Sequence, residues 1–282
     1  MLSSEALAIT FGFSSALSWG AGDFSGGFAT KHNGVLRVIL YSQIIGTLLL
    51  VGLLMVLGEP LPETAYLGWG ALAGAGGAIG LVALYKGLAL GRMGIVAPLS
   101  AVCTALAAML LGIFLEGLPK STQLLGFGAA MIAVWLLSAA GGPHQRVTRR
   151  ELTHSLWAGL GFGLFFGCID RFSSEAILWP LVAARLNSMV IIALLLAVKG
   201  QLTLAGHHRL GFIALAGILD TVGNAFFALA SQLGRLDVAA MVASLYPVST
   251  VVLARCFLKE RISRQQWAGL LTALSALILI AT

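Results

Sequence analysis

The chain has 282 residues, of which 59% are apolar and only 10% are Asp, Glu, Lys or Arg, against about 25% charged residues in a typical soluble domain. A soluble fold of this composition would expose apolar patches beyond what water tolerates, so a soluble enzyme or regulatory domain is excluded and a lipid environment is required. The formal net charge of +6 is small on this scale and belongs with the basic loops of a membrane protein rather than with a nucleic-acid partner.

The N-terminal run MLSSEALAIT carries no basic segment ahead of its apolar residues, so the first apolar run is expected to persist as a helix and not to be removed as a signal. A membrane-spanning helix needs about 20 mostly apolar residues. Runs of that kind recur at 6–29, 36–57, 65–90, 95–115, 121–140, 153–175, 179–198, 210–232, 238–258 and 265–281. Between them lie GEPLPE, GRMG, GGPHQRVTRRE, GHHR, GRLD and KERISR, whose Pro, Gly and charged residues mark helix ends. Connections this short make neighbouring helices antiparallel and leave no room for an appended catalytic domain. Cys103, Cys168 and Cys256 sit inside apolar runs with no metal or redox spacing and read as packing residues. Glycines spaced by four, such as Gly159, Gly163 and Gly167, allow close helix contact. Pro98 and Pro247 fall inside spans, where each removes a backbone hydrogen bond.

The sequence repeats internally. ALAG at 71–74 falls on ALAG at 214–217, Gly80 on Gly223, and GR at 91–92 on GR at 234–235, all at an offset of 143. FLEGLP at 114–119 resembles FLKERIS at 257–263. In the first helix of each unit, WGAGDFSGG at 19–27 can be laid on FGCIDRFSS at 166–174, which pairs Asp23 with Asp170; Arg37 and Arg185 then correspond in the next helix. The expected organisation is a first five-helix unit at 1–141, a basic linker at 142–152 and a second unit at 153–282. A unit with an odd number of spans inserts its second copy upside down, which is the inverted-repeat design of many secondary transporters. The expected fold is therefore an all-α integral membrane protein with ten transmembrane helices in two inverted five-helix repeats.

These features resemble the EamA family of the drug/metabolite transporter superfamily. The resemblance rests on the repeated unit, on ALYKGLALGRMGIVAPLSAV with Ala97-Pro98, on SLYPVSTVVLARCFLKERIS with Pro247 and Glu260, and on the glycine-led final helix of each half. It covers nearly the whole chain and departs from the family pattern at Glu116, where LEGLP stands against KERIS. The resemblance implies alternating-access transport, commonly export of amino acids and related metabolites, through a central cavity between the halves.

A charge at the centre of a span costs about 2.5–3.5 kcal/mol on insertion scales, so the charged residues there are the candidates for chemistry. Asp23 lies well inside the first span, with Trp19 one turn earlier on the same face and Gly20, Gly22, Gly26 and Gly27 around it. Its segment DFSGGFATK is similar to the first-helix carboxylate region of small multidrug exporters. Asp23 has no basic neighbour in sequence and is the expected proton-coupling residue, with a structural ion pair as the rival reading. Asp170 is its aligned counterpart but has Arg171 beside it. Asp220 and Asn224 share a helix face and have no polar equivalent at Gly77 and Leu81; they are expected to face a central cavity, against the alternative of an interhelical hydrogen bond. Arg37, Tyr41 and Arg185 are candidates to clamp a substrate carboxylate or to anchor helix ends. Lys86 and Arg255 read as side chains snorkelling to the interface.

No ATP-binding loop, nucleophile motif or metal-ligand cluster occurs, and no cofactor is expected. The expected function is a secondary transporter of a small polar metabolite in the cell membrane, an exporter, with proton coupling as an option. The alternative is a multidrug or cation exporter; a channel or membrane-embedded enzyme fits less well. The expected partners are the small-molecule substrate and the bilayer, and monomer and homodimer both stand open. Ten Lys and Arg lie in the odd-numbered loops and only Lys120 and Arg235 in the even ones. The positive-inside rule then puts both termini outside, whereas the family resemblance implies both inside.

Overall fold

The computed structural model describes residues 3–31, 33–90, 93–138, 148–201, 209–249, 252–253 and 264–281. Among these the chain is all α-helical, with ten helices: α1 (Ser4–Thr30), α2 (Val35–Leu57), α3 (Thr64–Leu90), α4 (Met93–Glu116), α5 (Ser121–Ser138), α6 (Arg149–Ser173), α7 (Leu178–Val198), α8 (Leu210–Leu233), α9 (Leu236–Ala243) and α10 (Arg264–Ala281). They fall where the apolar runs predict them. Six are long and apolar enough by themselves to cross a membrane: α2, α3, α4, α6, α7 and α8. The apolar stretches of α5, of α9 with its continuation to Ser249, and of α10 are shorter. Part of the ninth expected run, with Cys256 and Arg255, lies outside the described residues, as does most of the basic linker.

Local chemistry sets the helix ends. Thr148 and Glu151 form a reciprocal capping box at the start of α6, satisfying two backbone donors that have no partner within the helix. α2 stops at Gly58, whose φ of 67° is left-handed and whose N–H bonds the Leu54 carbonyl. α9 breaks at Ser244 and Leu245 before resuming at Tyr246. The cause is Pro247, which lacks an N–H and whose ring excludes the carbonyl four residues back. The break is bridged by a shortened bond from the Leu245 N–H to the Val242 carbonyl, at 3.1 Å.

Apolar side chains cover the outside as well as the inside. Met55, Val56, Phe114 and Val198 are each more than 80% exposed, which only a hydrocarbon solvent accommodates. Inside, the most extensive contacts are α1 with α8 and α3 with α6. α3 also packs on α7 and α2 on α8, α4 on α6 and α1 on α9, while α2 pairs with α7, α4 with α9 and α5 with α10. Exchanging each of α1–α5 with the helix five places later leaves this set of pairings unchanged.

The same exchange holds at single residues. A Cβ on Gly80 would stand 2.6 Å from the Phe162 ring, and one on Gly223 would stand 2.6 Å from the Trp19 ring. A Cβ on Gly74 would press on the Ala184 carbonyl, and one on Gly217 on the Ser42 carbonyl. The correspondence therefore sets Trp19 against Phe162 at the offset of 143, Asp23 against Phe166, and Gln43 against Arg185. This corrects the alignment that paired Asp23 with Asp170 and Arg37 with Arg185, which is displaced by one to two helical turns. A slip of one turn keeps nearly the same helix face, so glycine-rich sequence does not reveal it.

Candidate functional site: a central cavity

The strongest polar cluster inside the bundle surrounds a cavity with about 660 Å³ of space not filled by atoms, part of it continuous with solvent. α1 contributes Trp19 and Asp23, α2 Gln43, α4 Thr104, α7 Arg185 and Ser188, and α8 Asp220 and Asn224. Phe162, Phe165 and Phe166 of α6 supply an aromatic wall, and Gly74 and Gly77 of α3 also line the cavity, Gly74 in close contact with α7 and Gly77 against the Phe165 ring. Tyr246 enters at the proline break after α9 and shares a hydrogen bond with Ser100, with 3.1 Å between the hydroxyl oxygens.

Arg185 is the centre of a knot. Only 4% of its side chain is exposed, and it pairs with Asp220 at 2.6 Å. The same nitrogen donates to Gln43 Oε1 at 2.6 Å, and the other terminal nitrogen donates to Thr221 Oγ1 at 3.0 Å. A buried guanidinium without such partners would be strongly destabilising. Asp220 is 26% exposed, toward the cavity. Thr221 donates its own hydroxyl proton to the Gly217 carbonyl at 2.7 Å.

Asn224 lies one turn beyond Asp220 and accepts the indole N–H of Trp19 at 2.9 Å. The Trp19 ring stacks on Phe166 with centroids 5.2 Å apart, and Phe166 stacks on Phe227 at 4.2 Å. α1 approaches α8 closely here: a Cβ on Gly22 would stand 3.4 Å from the Asp220 nitrogen. Asp23 follows at the cavity, half-buried, and makes no hydrogen bond or ion pair among the described residues. Ser188, 2% exposed, is the one buried side-chain polar atom without a hydrogen-bond partner among them, and it too lines the cavity.

Of the residues singled out from sequence, Trp19, Asp23, Arg185, Asp220 and Asn224 thus converge on one space. Arg37, Tyr41 and Asp170 are not part of its wall. Arg37 donates to the Gln201 carbonyl at 3.4 Å in an exposed position, Tyr41 is half-buried against a separate apolar cluster, and Asp170 accepts from Ser231 at 2.7 Å. Gln43, Thr104 and Tyr246 were not anticipated. Gln43 was recoverable as the residue opposite Arg185 once the repeat is registered correctly; the others are neutral polar residues of a kind that many spans contain.

Helices that are apolar outside and enclose a polar chamber define a multi-pass membrane protein with a pocket inside its bundle. The chain belongs to the EamA-like transporter family, whose profile matches residues 6–139 and again residues 152–282. It is accordingly a multi-pass membrane protein of the drug/metabolite transporter superfamily, built from two copies of the family unit. No curated protein matches the chain. A protein of known crystal structure shares the fold at a TM-score of 0.76 and 15% identity, with 96% of this chain and 95% of that one covered.

Proposed function

We propose that this protein carries a small polar metabolite, an amino acid or a related compound, across the cell membrane by alternating access, in the direction of export. The observation that carries the reading is a chamber in the middle of the bundle whose walls come from both halves of the chain, with Asp23 and Gln43 on one side and Arg185, Asp220 and Asn224 on the other. The ten helices are read as ten spans. The halves, 1–141 and 153–282 joined by 142–152, are read as oppositely inserted, because five spans per unit reverse the second copy. The interchangeable helix pairings support this arrangement. Two such halves can rock about the α2–α7 and α4–α9 contacts and expose the chamber to each face in turn.

Asp23 is the candidate coupling residue. A carboxylate with no hydrogen bond or ion pair among the described residues can hold either a proton or a substrate ammonium, and that exclusivity is what exchange of one for the other requires. The test is counterflow in proteoliposomes across the twenty amino acids and the amines derived from them. Saturable counterflow of at least one compound supports a carrier, whereas unitary current steps or unsaturable leak overturn it. Asp23→Asn should abolish pH-gradient-driven accumulation; accumulation that survives removes Asp23 from the coupling role.

A further inference from the structure

We infer that the chamber selects a small primary amine with an apolar or aromatic body and no ionised carboxylate, in preference to a free amino acid. The inference rests on the transport reading above and narrows its substrate class.

The argument starts from charge. The cavity wall carries two carboxylates, Asp23 and Asp220, and one cation, Arg185. Arg185 is the natural clamp for a substrate carboxylate, but it is already engaged within the protein. Its charge is matched by Asp220, and both terminal nitrogens are taken by Asp220, Gln43 and Thr221. A substrate carboxylate would have to displace Asp220 or enter a chamber whose remaining charge is negative. In a low-dielectric chamber that repulsion is poorly screened.

Asp23 presents the opposite case. It makes no hydrogen bond or ion pair among the described residues, and Trp19 lies one turn away on the same helix face. A ligand ammonium set against Asp23 therefore meets a carboxylate, which favours a cation. The Phe162, Phe165 and Phe166 wall then accepts an apolar body. The buried Ser188 hydroxyl, without a hydrogen-bond partner among the described residues, is left to meet a neutral polar group of the ligand.

The test is calorimetric binding to the detergent-purified full-length protein with three probes that share a phenylethyl body: 2-phenylethylamine, phenylalanine and 3-phenylpropionate. The expected order is amine, then amino acid, then acid, with the amine at least about tenfold tighter than phenylalanine. Asp23→Asn should weaken the amine by about tenfold or more and leave the acid unchanged or improved. Phenylalanine binding as tightly as the amine, no amine binding, or amine binding that ignores Asp23→Asn each overturns the inference. Binding in detergent does not require transport. An amine that binds in this order but never exchanges in liposomes defeats the carrier reading alone, and counterflow confined to amino acids defeats the selectivity alone.

Discussion

Arg185 and Asp220 make one ion pair with two unequal ends. Arg185 is almost fully buried, whereas Asp220 keeps about a quarter of its side chain in contact with the chamber. Removing the acid strands a guanidinium that water reaches poorly; removing the base leaves a carboxylate that water can still solvate. Breaking a buried pair from one side typically destabilises by about 3–5 kcal/mol. Asp220→Asn is therefore expected near that range and Arg185→Gln well below it, read as unfolding midpoints of the purified protein. Equal losses would mean that Asp220 is as sealed as its partner. Trp19 makes a second residue-scale case. Trp19→Phe keeps the ring stack on Phe166 but leaves the Asn224 oxygen without its donor, a change expected to cost about 1–3 kcal/mol. Asp220 and Asn224 were legible in the sequence because two polar residues four apart in an apolar helix can only share a face. Asp23 was legible as an isolated charge. Thr104 was not, because a single hydroxyl in a span can bond back to its own helix, as Thr104 does to the Ser100 carbonyl at 2.9 Å, and such a residue says nothing about a cavity.

At the scale of helices, the start of α7 depends on a residue far away in the chain. Glu59, in the turn between α2 and α3, accepts from the backbone N–H groups of Ile177, Leu178 and Trp179 at 2.9 to 3.1 Å. It thereby caps the positive end of a helix whose own N-cap, Ile177, has no side-chain acceptor. Glu59→Ala is expected to destabilise by about 1–2 kcal/mol and to speed hydrogen exchange at amides 177–179 specifically. Unchanged exchange there would show that water replaces the carboxylate without loss. The sequence places Glu59 in a Pro-rich break and suggests no more than a helix end, since a cap supplied from over a hundred residues away leaves no local signature. Pro247 is the contrary case: its effect on α9 is local and was readable as a lost hydrogen bond, although not that the break would aim Tyr246 at the chamber.

Across the whole molecule, the interchange of the two halves yields a paired prediction. Gly74 against α7 and Gly217 against α2 are equivalent close approaches, each with a main-chain carbonyl where a side chain would go. Gly74→Val and Gly217→Val should each destabilise by about 1–3 kcal/mol or more, while Gly68→Val, which has open space around it, should be near neutral. A large difference between the first two would break the equivalence. The helix count and the repeat were legible from apolar runs and from the ALAG identities, whereas the register of the first helices was not, because one turn of slip preserves the face.

The strongest partner of α1 is also among the last to be made. Ser15 donates to the carbonyl of Gly223, 208 residues later in the chain, and Trp19 waits for Asn224. At roughly 5–20 residues per second of synthesis, the first helix exists for on the order of 10–40 seconds before its companion emerges. Throughout that interval Gly22 and Asp23 lack the α8 face that they meet in the finished bundle. The residue read here as the substrate's counter-ion is thus a hazard during biogenesis, and the first half of the chain must tolerate an unfinished state that the mature protein never revisits.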